Sequence, residues 1–183
     1  RVLNWKDRST CILFGDGAGA AVVSSVPEGY GMLGMDMGAN GAGGMAICIP
    51  SSGTAMVPND KRIEEGLTFV HMDGAEVYKF AVKIMGRTVL NALEKAGLKL
   101  EDLDRFIPHQ ANTRIIDSAA HRLKMPADKV FVNLPKYGNT SAASVAIALD
   151  EAVRSGFVER DHTVAFAGFG AGLTWAGLVM KWY

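Results

Sequence analysis

Between Asp73 and Tyr183 the hydrophobic pattern alternates between helical and extended periods, and no other feature of the chain restricts its fold as much. Asp73 and Glu76 stand at capping-box spacing. They open a helix predicted to run to about Ala96, with Val77, Phe80, Ala81, Ile84, Val89 and Leu93 near a 3.6-residue period and Gly97 as its stop. "RFIPH" then reads as a short strand, 111–124 as an amphipathic helix and "KVFVNL" as a strand. "NTSAASVAIALDEAVRSG" reads as an alanine-rich helix stopped by Gly156, and "HTVAFAGF" and "TWAGLVMKWY" as two closing strands. Helix, strand, helix, strand, helix, strand, strand predicts the α/β class, with a mainly parallel sheet and helical crossovers.

The first part of the chain follows another rule. "TCILFGDGAGAAVVSSV", residues 10–26, has two apolar runs around a glycine turn, the pattern of a hairpin. Strand-like pieces follow at 31–37 and 46–49, and 51–66 reads as exposed loop. The 10–26 design, strand, Gly-Ala-Gly, strand, returns in "AFAGFGAGLTWAGLVM". Gly17 and Gly170 are 153 residues apart (170 − 17), too far for a solenoid period and suited to a duplicated half-domain. The reading is a chain that begins inside a repeat, since it opens on arginine and lacks the elements that would precede the first hairpin. Residues 1–50 are then the end of an N-terminal half, 51–72 a connecting loop and 73–183 a C-terminal half.

Charge excludes some partners. Lys and Arg number 19 against 19 Asp and Glu, which gives no global reason to bind nucleic acid or an anionic membrane. The opening "RVLNWKDRST" is no secretory signal, and the apolar run 164–180 carries four glycines, as two strands and a turn would. Cys11 and Cys48 fall in apolar strand-like runs, the setting of reduced, buried thiols in a reducing compartment.

Three strand ends offer chemistry. His109 follows Pro108 at the end of "RFIPH". Asn139 follows the next strand and opens a helix, and the glycines around Ala171 bring backbone amides to the same sheet edge. In open α/β sheets ligands bind outside the carboxyl ends of the strands. His109 alone reads as a core-edge histidine and Asn139 alone as a helix N-cap. Together, an imidazole, a carboxamide and exposed N–H groups form a set that stabilises a developing oxyanion or enolate.

"FGDGAGA", "IPHQANTRI", "YGNTSAASV" and "GFGAGLTW", in that order, resemble β-ketoacyl-[acyl-carrier-protein] synthase III of the thiolase superfamily. The likeness runs from about residue 5 to the end. It implies the thiolase-like layered α/β/α/β/α fold, here the C-terminal repeat plus the last hairpin of the N-terminal one. It also implies a decarboxylating condensation of an acyl-CoA starter with malonyl-carrier protein, with no cofactor or metal, by a cytoplasmic or plastid-stromal homodimer. Members use a Cys–His–Asn triad whose cysteine lies on the N-terminal half. Neither Cys11 nor Cys48 stands at a strand-to-helix turn where helix N–H groups would lower a thiol pKa.

Residue by residue, His109 and Asn139 match the pair that stabilises the malonyl-derived enolate. Ala171 matches the backbone donor of the acyl oxyanion hole. Gln110, Ala111, Asn112, Thr113 and Arg114 match the segment that meets the carrier protein, and Arg114, His121, Arg122 and Lys124, with Lys79 beside them, would give an acidic partner a positive face. Arg8 resembles an arginine stacking on the coenzyme A adenine, Asn112 a pantetheine-tunnel residue, and Gly74 and Phe169 residues near the acyl pocket. His71 and His162 carry no assignment. A phosphotransferase reading of "GDGAGA" is weak, because no Lys-Ser/Thr follows and the turn reads as leading into a strand. Type III polyketide synthases, hydroxymethylglutaryl-CoA synthases and an inactive half-enzyme or interaction fragment are the other readings.

Overall fold

The computed structural model describes all residues, 1–183. In chain order the helices and strands are α1 (Arg8–Cys11), β1 (Gly31–Ala39), β2 (Ile47–Cys48), α2 (Asp60–Glu64), β3 (His71–Met72), α3 (Gly74–Lys95), β4 (Arg105–Pro108), α4 (Thr113–Arg122), α5 (Leu134–Tyr137), α6 (Ala143–Arg154), β5 (Thr163–Gly170) and β6 (Thr174–Lys181). Four strands form one sheet in the order β1-β6-β5-β4, and β2 and β3 pair apart from it.

Helix α3 begins where the sequence predicts. The Asp73 carboxylate accepts from the Ala75 and Glu76 N–H groups at 3.0 Å each. Gly97 follows its end in the left-handed region, φ +69°. Strands β4 and β5 are buried on both faces, so their alternate residues enter two different cores. Phe106, Ala165 and Ala167 pack with Met85, Val89 and Ile116 of α3 and α4 on one side. Ile107, Val164 and Phe166 pack with Ala148 and Ala152 of α6 on the other. Helix, sheet, helix is the layering of an α/β/α fold, and it accounts for the apolar runs that lack polar alternation. Gly34 of β1 lies so near α3 that a Cβ there would stand 2.3 Å from the Ala92 carbonyl oxygen.

Two sequence expectations give way here. The sheet is not mainly parallel: only β4 and β5 run parallel, while β5–β6 and β6–β1 are antiparallel. The turn between β5 and β6 spans only 171–173, and a parallel return needs a crossover of a dozen residues or so. "KVFVNL" adds no strand, only an isolated bridge between Phe106 and Val130. Past it the backbone groups of Phe131, Asn133 and Leu134 bond the Gln110 side chain where a neighbouring strand would stand.

The 10–26 hairpin does not form either, and with it goes the comparison of two like Gly-Ala-Gly turns. Residues 13–15 instead pair with Asn139, and 15–26 run without helix or strand. Val22 and Val23 are 98% and 93% exposed, because nothing in the chain lies alongside them to take their apolar surface. The loop expected at 51–66 contains the short helix α2, with Asn59 capping it through the Arg62 N–H.

Candidate active site

Pro108 ends β4, and His109 is the next residue, still tied to the sheet by its N–H donating to the Ala167 carbonyl at 2.7 Å. The side chain is 8% exposed. Nδ1 lies 2.5 Å from the Ser144 Oγ, and the ring meets Phe169 edge-on with centroids 5.5 Å apart. Burial with no carboxylate nearby pushes the imidazole down from 6.5 to about 4. A charged ring loses more hydration there than the site returns, so the imidazole is neutral near pH 7.

Asn139 is held by a different device. Gly138 takes φ +70°, and the Asn139 backbone then bonds residues 13–15 on both sides, N–H to the Leu13 carbonyl at 3.0 Å and carbonyl from the Gly15 N–H at 2.9 Å. Gly15 has to be glycine, since a Cβ would stand 2.2 Å from the Tyr137 carbonyl oxygen. Asn139 does not cap α6, whose N-cap is Ala142. Its Oδ1 accepts the Ser141 N–H at 2.9 Å, which leaves Nδ2 with no protein partner.

His109 and Asn139 line one open cavity of about 1140 Å³, together with Ala111, Asn112, Gly74, Phe169 and Ala171. Of its 29 lining residues 19 are apolar, and the wall is completed by residues the sequence reading left out: Leu13, Phe14, Met37, Tyr78 and Trp175. They come from four separate stretches of chain, so no local motif marks them. Asn112 is both a cavity residue and the N-cap of α4, accepting the Arg114 N–H at 2.9 Å. Gly74 is the first residue of α3. Arg8 is exposed and does not line the cavity, although its neighbour Ser9 does.

The segment 110–114 divides. Thr113 and Arg114 are exposed on the first turn of α4, as are His121, Arg122 and Lys124 at and beyond its end. Ala111 packs against the main core. Gln110 is 1% exposed and faces inward, so it is not a surface for any partner. Its Nε2 donates to the Pro108 and Phe131 carbonyls at 2.8 and 3.2 Å, and its Oε1 accepts the Asn133 and Leu134 N–H groups at 3.0 and 3.1 Å. A buried carboxamide with both ends satisfied pins backbone. Here it joins the residues leading into His109 to those leading into Asn139.

Both cysteines are free and half-buried, not sealed in a core. Cys11 closes α1 and Cys48 pairs with His71 in the β2–β3 ribbon and lines the cavity, so neither stands at a helix N-terminus. No three His, Cys, Asp or Glu side chains come together to hold a metal. No helix is long and apolar enough to cross a membrane.

Residues 1–41 match the family described as 3-oxoacyl-[acyl-carrier-protein (ACP)] synthase III, and residues 93–182 match its C-terminal part. The β-ketoacyl-[acyl-carrier-protein] synthase III of Caldanaerobacter subterraneus subsp. tengcongensis is 55% identical over 182 residues, which is 100% of this chain and 55% of that protein. The chain belongs to the 3-oxoacyl-[acyl-carrier-protein] synthase III family. The crystal structure of the synthase III of Thermus thermophilus superposes with a TM-score of 0.88 at 46% identity, covering 100% of this chain and 56% of that one. That of Aquifex aeolicus VF5 gives 0.86 at 41% identity, over 99% and 54%. This synthase III chain therefore spans about half the length of the relatives it matches, and the fold is theirs.

Proposed function

We propose that this chain supplies the decarboxylation machinery of a synthase that condenses an acyl-CoA starter with malonyl-carrier protein to give 3-oxoacyl-carrier protein. One observation carries the reading. His109 and Asn139 line a single apolar cavity with Nδ1 and Oδ1 already bonded to the protein, which leaves Nε2 and Nδ2 as the groups to meet a ligand. Two donors on one oxygen fit a thioester carbonyl that becomes an enolate. As the malonyl carboxylate leaves as carbon dioxide, the electrons of the broken C–C bond move onto that oxygen, and donors fixed beforehand meet the charge without reorganising.

The enolate carbon then attacks the acyl carbon held as a thioester on a cysteine from the remainder of the enzyme. The new C–C bond forms, the C–S bond breaks and the electron pair leaves on the thiolate sulfur. The Ala171 N–H is assigned to the acyl oxyanion, and the apolar wall around Phe169 and Gly74 to the acyl chain. The exposed basic side chains Arg114, His121, Arg122 and Lys124 suit an acidic carrier protein. Asn112 is assigned to the pantetheine arm and Arg8 to the coenzyme A adenine. Residues 73–183 are assigned to the C-terminal repeat.

Met32, Met35 and Met37 of β1 are exposed, as are Val22 and Val23, which supports further polypeptide over these residues, from the rest of the enzyme and the partner of a homodimer. The test is product analysis with the full-length enzyme, acyl-CoA and radiolabelled malonyl-carrier protein. Release of carbon dioxide with matching 3-oxoacyl product is expected, and neither product with any acyl-CoA would overturn the reading.

A further inference from the structure

Ser144 lies in the first turn of α6, 2% exposed, on the side turned toward β4. Its Oγ serves two neighbours at once, 3.2 Å from the Gln110 backbone nitrogen and 2.5 Å from Nδ1 of His109. A serine hydroxyl has one hydrogen to give and two lone pairs with which to accept. The Gln110 N–H donates, and that fills one lone pair.

The contact with Nδ1 then has two possible polarities. If Nδ1–H donated to Oγ, the hydroxyl hydrogen would need another acceptor, and none lies in hydrogen-bond range of Oγ. A buried donor left unpaired gives up its hydrogen bond to water and gains none in return. If the hydroxyl donates to Nδ1, both polar hydrogens around Oγ, its own and that of the Gln110 N–H, are satisfied. The neutral ring then carries its one proton on Nε2, the nitrogen that bonds no protein group.

We propose that Ser144 is a positioning residue that holds His109 in the Nε2–H tautomer, by donating its hydroxyl hydrogen to Nδ1. This rests on the reading of His109 as a donor to the malonyl thioester oxygen, which needs a hydrogen on Nε2. The same polarity opposes a second proton on the ring, because an Nδ1–H would displace the hydroxyl hydrogen from its acceptor. That acts in the same direction as burial, which already pushes the imidazole down to about 4. Through the Gln110 N–H the same hydroxyl joins the tautomer to the network that aligns His109 with the Asn139 segment.

The test uses the full-length enzyme labelled with 15N-histidine, near pH 7, with the His109 signals identified by their loss in His109→Gln. A pyridine-type Nδ1 and a pyrrole-type Nε2 are expected. Ser144→Ala is expected to move the ring toward a mixture of tautomers and to lower kcat for malonyl decarboxylation by about tenfold or more, with KM nearly unchanged. Ser144→Thr, which keeps a hydroxyl, is expected to restore both. A protonated Nδ1 in the unaltered enzyme overturns the proposal, whether or not the Ser144 variants fold. So does a Ser144→Ala enzyme with tautomer and kcat unchanged. The reading of His109 fails by a separate result, undiminished decarboxylation in His109→Gln, while the 15N shifts still decide the tautomer.

Discussion

Asn139 and Ser141 are joined by one hydrogen bond, the side-chain Oδ1 accepting the Ser141 backbone N–H at 2.9 Å, and that bond fixes which end of the amide faces a ligand. Aspartate at 139 keeps an oxygen for Ser141 but has no hydrogen to give. Asn139→Asp is therefore expected to retain most of the stability of the unaltered protein. It should lose malonyl decarboxylation by about 100- to 1,000-fold, the usual cost of one oxyanion donor. Asn139→Ala should lose both the donor and the turn bond, the latter at about 1 kcal/mol. Transfer of the starter acyl group onto the enzyme should survive better in both. Equal slowing of both half-reactions in Asn139→Asp, measured separately, would sink the donor assignment.

His109 makes stability depend on pH. Its folded pKa of about 4 lies below the usual 6.5, so as pH falls the unfolded chain takes up the proton first. Stability is full above pH 6.5, declines between 6.5 and 4, and stops declining on this account below 4. The whole shift corresponds to about 3 kcal/mol. Urea unfolding across pH 7.5 to 4 should show this slope, and His109→Gln, which cannot titrate, should flatten it.

Gln110 should behave as a structural residue despite its place beside the histidine. Gln110→Ala leaves two N–H groups and two carbonyls without their partner in the interior and should cost about 3 kcal/mol or more. Differential scanning calorimetry should show the drop. Carrier-protein binding by whatever fraction stays folded should be unchanged, and a selective loss of that binding would return Gln110 to the interface.

Arg114 is the better test of the carrier surface, since it is exposed and makes no ion pair. Arg114→Glu should raise KM for malonyl-carrier protein by about fivefold or more at low salt and leave KM for acyl-CoA alone. Salt near 1 M should erase the difference, because screening acts on exposed charges. An effect that ignores salt would point to packing.

Gly34 tests the fit of β1 on α3. Gly34→Ala would bring a methyl group to 2.3 Å from the Ala92 carbonyl oxygen and 2.8 Å from the Ala96 nitrogen, both backbone atoms that cannot turn aside. A loss of about 1–3 kcal/mol is expected in urea titrations. Gly41, with nothing near its Cβ position, is the control.

Local patterns were enough for much of this chain. The Asp73 cap, the helical stripe to Lys95 and the stop at Gly97 are set by residues within a few turns of each other. The β5–β6 hairpin likewise follows from two apolar runs and a short glycine turn. His109 comes to the cavity from a strand end at the carboxyl edge of the sheet, as its sequence suggests, whereas Asn139 comes to it from the turn after the short helix α5 and not from a strand end. What the sequence could not decide was where backbone groups find partners far along the chain. Residues 10–26 carry a hairpin pattern, yet Leu13 and Gly15 bond Asn139, and "KVFVNL" carries a strand pattern, yet the Gln110 side chain takes its place beside 131–134. The same holds for Gln110 itself, whose polarity suits a surface until packing buries it and satisfies all of its bonds. Apolar period and turn residues are local quantities. Partner choice depends on which segments the fold brings together, and only the tertiary structure settles that.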